Sequence, residues 1–243
     1  MTPAIQVDRL SKRYGKIQAV DGIDFAVPVG ATHALLGGNG AGKTTTLSML
    51  LGLLLPTSGS IRILGVDMAH RRFEVLPRMN FTSPYVDLPQ RLSVSQNLDV
   101  LARLYGVPRR KERIQHLAEQ FGLSALLKRP YGSLSAGQRT RVSLAKSLLN
   151  EPEVLLMYEP TAALDPDTSD QVRGYLRDYQ RRTGATLLLA SHNMREVERL
   201  CQDVLMMKQG RIVDRGTPEV LVSKYGRDDL EQVFIQIARD DAL

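Results

Sequence analysis

Eight consecutive residues, Gly37-Gly38-Asn39-Gly40-Ala41-Gly42-Lys43-Thr44, carry the clearest chemistry in the chain. They fit G-x-x-x-x-G-K-[ST], a pattern with a physical reason at every fixed position. The glycines let successive backbone N–H groups turn inward around phosphate oxygens, and a helix starting directly after the loop adds its positive end. Lys43 supplies a point charge. The Thr44 hydroxyl is a candidate Mg²⁺ ligand, and Thr45 stands next to it in the same first turn. Such a loop needs a strand before it and a helix after it. The apolar run Thr32-His33-Ala34-Leu35-Leu36 and the helix expected over about residues 44–53 meet that need. A nucleoside triphosphate site follows. A glycine turn that merely precedes a helix leaves the adjacent Lys-Thr unexplained.

Further along stand groups that are ambiguous one at a time. Leu134-Ser135-Ala136-Gly137-Gln138 is a loop meeting a helix, where a hydroxyl, backbone amides and a helix N-terminus all favour an anion. Asp165-Pro166-Asp167 reads as an N-cap, a proline at the first helical position and an acidic first turn. His192 after an apolar strand is in general a capping or packing residue, and Tyr14 an ordinary surface aromatic.

Their order and spacing nevertheless resemble the ATP-binding-cassette (ABC) family over nearly the whole chain. Leu134-Ser135-Ala136-Gly137-Gln138 resembles that family's signature motif, and Leu155-Leu156-Met157-Tyr158-Glu159-Pro160-Thr161 its Walker B segment. Ala163-Leu164-Asp165 matches its D-loop, Ser191-His192 its switch histidine, and Tyr14 the aromatic residue that stacks on adenine. The resemblance implies two cassettes, expected as a homodimer, associating head to tail with ATP and Mg²⁺ between the phosphate loop of one and Ser135, Ala136, Gly137 and Gln138 of the other. It makes Glu159 the general base or water-positioning group, His192 its companion at the γ-phosphate, and Asp165 a contact across the interface. It also implies a membrane-spanning permease subunit as a separate chain, and a peripheral position on the cytoplasmic side of the membrane. The stretches Ser191-His192-Asn193-Met194-Arg195-Glu196-Val197-Glu198 and Lys208-Gln209-Gly210-Arg211-Ile212-Val213 most resemble cassettes of bacterial ABC-2-type exporters.

Two positions depart from the family pattern. Tyr158 stands where the family has Asp before the catalytic Glu, and a phenol with a reference pKa of about 10 brings no charge to a metal at neutral pH. Thr82-Ser83-Pro84-Tyr85 stands where a metal-contacting Gln is usual, and Gln90 comes too late to replace it. Ser83 or Thr82 is the candidate substitute hydroxyl.

These groups need a scaffold, and the patterning specifies one. Alternating apolar residues (Ile5, Val7, Leu10, then Val20, Ile23, Phe25, Val27) predict an antiparallel β layer. Strands then alternate with helices, which predicts an α/β phosphate-loop core with a mainly parallel sheet. Between them, residues 93–150 turn helical, with Leu98, Leu101, Ala102, Tyr105 and Ile114, Leu117, Ala118, Phe121 as apolar faces. The expected organisation is one cassette over residues 1–243, with core residues 1–92 and 151–243 and an inserted helical lobe at 93–150 carrying the signature. With 243 residues, 43% hydrophobic and 24% charged, the composition excludes disordered and fibrous classes. No apolar run approaches the ~20 residues of a membrane span. The opening residues reach Asp8 before a signal-peptide core can form. A single cysteine, Cys201, excludes an internal disulfide and suits a reducing compartment. The net charge of +6 suits an anionic partner. It also raises a rival function, a soluble cassette ATPase acting on nucleic acid or the ribosome. Those relatives carry paired cassettes or a long coiled coil, so no nucleic-acid partner is expected. Tyr158 motivates a second rival, a regulatory subunit with weak hydrolysis.

Overall fold

The computed structural model describes residues 3–84 and 86–239. Strand β1 (Ile5–Tyr14) turns at Gly15 into β2 (Ile17–Val27), and the two pair antiparallel with Ile5 opposite Val27. Strand β3 (Thr32–Gly37), buried throughout, delivers the chain to the glycine loop and helix α1 (Lys43–Leu50). That helix ends earlier than expected, because Leu51 caps it and Gly52 turns left-handed at φ 68°. Strands β4 (Ser58–Ile63) and β5 (Val66–Asp67) complete the first sheet in the order β2-β1-β4-β5. This is the expected antiparallel layer.

After β6 (Met79–Thr82) come the helices α2 (Val94–Leu104), α3 (Arg110–Gln120) and α4 (Ala136–Ser147). Both α2 and α4 open on reciprocal capping boxes, Ser93 with Gln96 and Ser135 with Gln138. The anticipated faces meet: Leu98, Ala102, Leu117, Ala118 and Phe121 are buried together. The carboxy-terminal half of α4 returns to the core, where buried Lys146 donates to the Phe81 carbonyl of β6.

Alternation then resumes with β7 (Val154–Tyr158), α5 (Pro166–Thr183), β8 (Thr186–Ser191), α6 (Met194–Leu200) and β9 (Asp203–Lys208). Three elements follow that the sequence pattern was not read for: β10 (Arg211–Gly216), α7 (Pro218–Tyr225) and α8 (Leu230–Arg239). The second sheet runs β10-β9-β3-β8-β7-β6, parallel except for the β10 edge. Its central strands are buried on both faces and are accordingly mostly apolar, with Leu-Leu runs in β3, β7 and β8 and Val and Met in β7 and β9. One face packs with α1 under the antiparallel layer, and the other packs against α5, α6, α8 and the helices of residues 93–150. The carboxyl ends of β3, β7 and β8 therefore lie side by side, where open α/β sheets hold their ligands.

Candidate functional site

The phosphate loop is held from outside by close backbone packing. A Cβ at Gly37 would lie 2.5 Å from the Met207 carbonyl oxygen of β9, and one at Gly42 would lie 2.6 Å from that of Ala19 in β2. Only glycine fits at either position. The Ala41 carbonyl accepts the Gly210 N–H, and Gly38 faces the Phe234 ring from α8. Asn39 and Gly40 are left exposed. Lys43 does not reach into solvent, although a phosphate-binding loop is open to its ligand. It is buried, and its Nζ donates to the carbonyls of Gly37 (2.5 Å) and Gly38 (3.1 Å), bending back over the loop. Burial lowers its pKa, and the charge of Glu159 partly offsets this. Thr44 is exposed and Thr45 half-buried at the start of α1.

Glu159 follows directly on β7. The parallel register sets Tyr158 opposite Ala190, so Glu159 arrives beside Ser191 and His192 at the end of β8. Its N–H donates to the Ala190 carbonyl, and its backbone is left-handed at φ 47°, a strained conformation for a residue with a Cβ. Oε1 accepts the His192 backbone N–H at 2.9 Å and lies 2.5 Å from His192 Nδ1. The His192 side chain is otherwise 68% exposed, whereas that of Glu159 is only 6% exposed. A buried carboxylate thus orients an exposed imidazole at the strand ends, within the electrostatic reach of Lys43.

Ser135, Ala136, Gly137 and Gln138 lie apart from this group, at the start of α4. The Ser135 hydroxyl accepts the Gln138 N–H at 3.3 Å, which leaves its own proton free to donate. A Cβ on Gly137 would sit 3.0 Å from the Ala163 carbonyl, so the signature loop and the D-loop share one face, in a cleft that Ser83 also lines. Asp165 has the capping geometry: its carboxylate accepts the Thr168 N–H and hydroxyl, and the Thr168 hydroxyl above all holds its pKa down. Tyr14 is half-exposed at the β1–β2 hairpin, with Lys12 Nζ 5.2 Å from its ring centre.

The ABC transporter family profile matches residues 20–162. The chain belongs to the ABC transporter family. Among relatives of this ABC cassette, the Nod factor export ATP-binding protein I of Ralstonia nicotianae is 37% identical over 235 residues, which are 96% of this chain and 73% of that protein. The daunorubicin resistance ATP-binding protein DrrA3 of Streptomyces coeruleorubidus is 36% identical over 237 residues, 95% of this chain and 73% of that protein. A solved ATP-binding subunit of an ABC transporter superposes with a TM-score of 0.89 at 25% identity, covering 96% of this chain and 99% of that one.

The two departures acquire locations in this cassette. Tyr158 is half-buried at the end of β7, packed against the apolar cluster that also holds Leu47 and Leu50 of α1. Thr82 is buried and its hydroxyl bonds Ser143 of α4 at 2.8 Å, whereas half-buried Ser83 lines the cleft together with Thr140 and Ser143. Tyr85 lies outside the described residues. Among the described residues no helix is long and apolar enough to cross a membrane.

A second buried carboxyl group belongs to the site. Glu196, in the first turn of α6, is 1% exposed and reaches Thr161 and Ser191 behind Glu159. An acidic residue in a first helical turn ordinarily faces water, so only the tertiary structure reveals its burial.

Proposed function

We propose that this cassette hydrolyses ATP at its phosphate loop to drive an exporter whose membrane-spanning subunit is a separate chain, and that it acts from the cytoplasmic face of the membrane. Backbone N–H groups of residues 37–42, with Lys43, Thr44 and Thr45, bind the phosphates, and Tyr14 stacks on the base. The Lys43 ammonium exchanges the Gly37 and Gly38 carbonyls for phosphate oxygens, a stronger charge-assisted pairing.

The observation that carries the catalytic reading is the Glu159–His192 pair. Glu159 accepts two nitrogens of His192 through one oxygen, so its carboxylate is aimed and remains available to orient an attacking water. The exposed imidazole is free to reach the γ-phosphate. Ser135 and the amides of Ala136 and Gly137 complete the partner's site in a head-to-tail homodimer, with Asp165 at the interface. Phosphoryl transfer of this kind depends on positioning and charge stabilisation.

Mg²⁺ fits the donor set. It needs only one or two protein oxygens beside phosphate and water, and exposed Thr44 supplies one, with Ser83 the second candidate. When bound, it neutralises phosphate charge. Tyr158 contributes no charge to it. The test is ATP turnover by the purified chain with Mg²⁺ titrated in, together with sedimentation of the chain with membranes that contain its permease. Turnover without membrane association contradicts the transporter role, and association without turnover contradicts the catalytic one.

A further inference from the structure

Behind the Glu159–His192 pair lies a second carboxyl group that the functional reading does not use. Ser191 Oγ stands 3.2 Å from Glu159 Oε2 and 3.0 Å from Glu196 Oε2, and it also accepts the Asn193 N–H at 3.0 Å. Glu196 Oε1 accepts the Thr161 hydroxyl at 2.7 Å. Ser191, Thr161, Glu159 and Glu196 are all buried.

The protons in this cluster can be counted. A serine hydroxyl has one proton, and an ionised carboxylate only accepts. With both glutamates ionised, Ser191 can satisfy one carboxylate and must turn a lone pair toward the other, at hydrogen-bond distance in a water-poor interior. Leaving such a contact unsatisfied is costly, and two adjacent buried anions repel. One carboxyl therefore carries a proton. The geometry assigns the charge to Glu159, because its Oε1 accepts the His192 N–H and lies 2.5 Å from His192 Nδ1, and the Lys43 charge acts on it.

We propose that Glu196 is a positioning residue held as a neutral carboxylic acid, whose proton on Oε2 is donated to Ser191 and thereby directs the Ser191 proton onto Glu159 Oε2. Hydrogen bonds then run in one direction, from Thr161 to Glu196, to Ser191, to Glu159. The carboxylate at the end of the chain is fixed through both oxygens and gains no second negative charge beside it. Burial raises the Glu196 pKa as this requires, and Glu159 adds to the effect, against the hydrogen bonds from Thr161 and Ser191 and the charge of Arg173. The titratable and charged groups around Glu196 are Glu159 beyond β7, His192 after β8, Arg173 of α5 and Cys201 at the end of α6. Arg173 also pairs with Asp170 at 3.1 Å.

The proposal rests on Glu159 as the catalytic carboxylate, and the experiment separates the two ideas. Glutamine reproduces a neutral acid in this setting: its oxygen accepts from Thr161 and its nitrogen donates to Ser191. Glu196→Ala lowers kcat by about tenfold or more with little change in KM, and Glu196→Gln restores it to within about twofold of the parent. Infrared difference spectra of the full chain, parent minus Glu196→Gln at neutral pH, show the carbonyl stretch of a protonated carboxylic acid. A Gln variant as impaired as the Ala variant, or a spectrum with only a carboxylate band, overturns the proposal. Glu159→Gln with parental turnover instead removes the catalytic reading, while the infrared band still decides the protonation of Glu196.

Discussion

Replacing Ser135 by alanine separates a structural task from a proposed functional one, because the same hydroxyl caps α4 and is assigned to the partner's nucleotide in the proposed dimer. As an N-cap it accepts the Gln138 N–H at 3.3 Å, while the Gln138 side chain returns to the Ser135 N–H at 3.0 Å. The residue is exposed and the bond long, so the cap contributes at the lower end of its usual range, about 0.5–1 kcal/mol. For a chain of this size that lowers Tm by about 1–4 °C. In the proposed head-to-tail dimer, the proton left free on the hydroxyl is the one offered to the partner's γ-phosphate. A hydrogen bond to a charged group is worth about 1.5–3 kcal/mol, and a symmetric dimer makes two. At the low end this totals about 3 kcal/mol, a dimer about a hundredfold weaker. The assay is ATP-induced association followed by light scattering in a Glu159→Gln background, with thermal melts alongside. Ser93→Ala is the control. It breaks the equivalent capping box on α2 and is expected to lower Tm similarly while leaving association unchanged. If Ser135→Ala lowers Tm yet associates like its parent, the hydroxyl is only a helix cap and the sandwiched-nucleotide reasoning is refuted.

Two other outcomes are expected. Tyr158→Asp lowers the Mg²⁺ concentration for half-maximal ATPase and, because the ring packs against the α1 cluster, costs about 1–2 kcal/mol of stability; Tyr158→Phe leaves the Mg²⁺ requirement unchanged. A destabilised Asp variant with no gain in metal response would make Tyr158 a packing residue alone. Burial brings the Lys146 pKa down to about 8 from 10.5, so between those values the unfolded chain holds a proton that the folded one has released. Stability relative to Lys146→Met therefore rises with pH across that window, by roughly 3 kcal/mol, and is flat below it. Urea unfolding at several pH values checks this, and a pH-independent difference contradicts it.

The legible parts of the site were those set by local chemistry. The phosphate loop could be read because its glycines, Lys43 and Thr44 are contiguous, and the strands around it because Leu35-Leu36 and Leu187-Leu188-Leu189 are uninterrupted apolar runs. The carboxy-terminal elements carry local signals too: Thr217 and Pro218 start α7, Gly226 ends it, and Leu230, Val233 and Ile237 form the buried stripe of α8. Other features arise only in three dimensions. The inward bend of Lys43 depends on the carbonyls of its own loop, and Phe234 meets Gly38 across almost two hundred residues. Asp165 looks like a helix cap in sequence and is one in structure, which is compatible with an interface role because its carboxylate stays exposed. The burial of Glu196 follows from how α6 lies against the ends of β7 and β8, and the pattern of α6 alone does not encode it.

In the proposed function Glu159 aims the chemistry at an ATP held between two copies of this cassette. The most direct test is the molar mass of Glu159→Gln measured by light scattering with and without ATP, together with its turnover. The amide keeps the shape of the carboxylate and loses its charge and basicity. The expected result is a monomer without nucleotide, a stable dimer with ATP bound and turnover nearly abolished. A variant that stays monomeric in saturating ATP while hydrolysing it at the parental rate would contradict it.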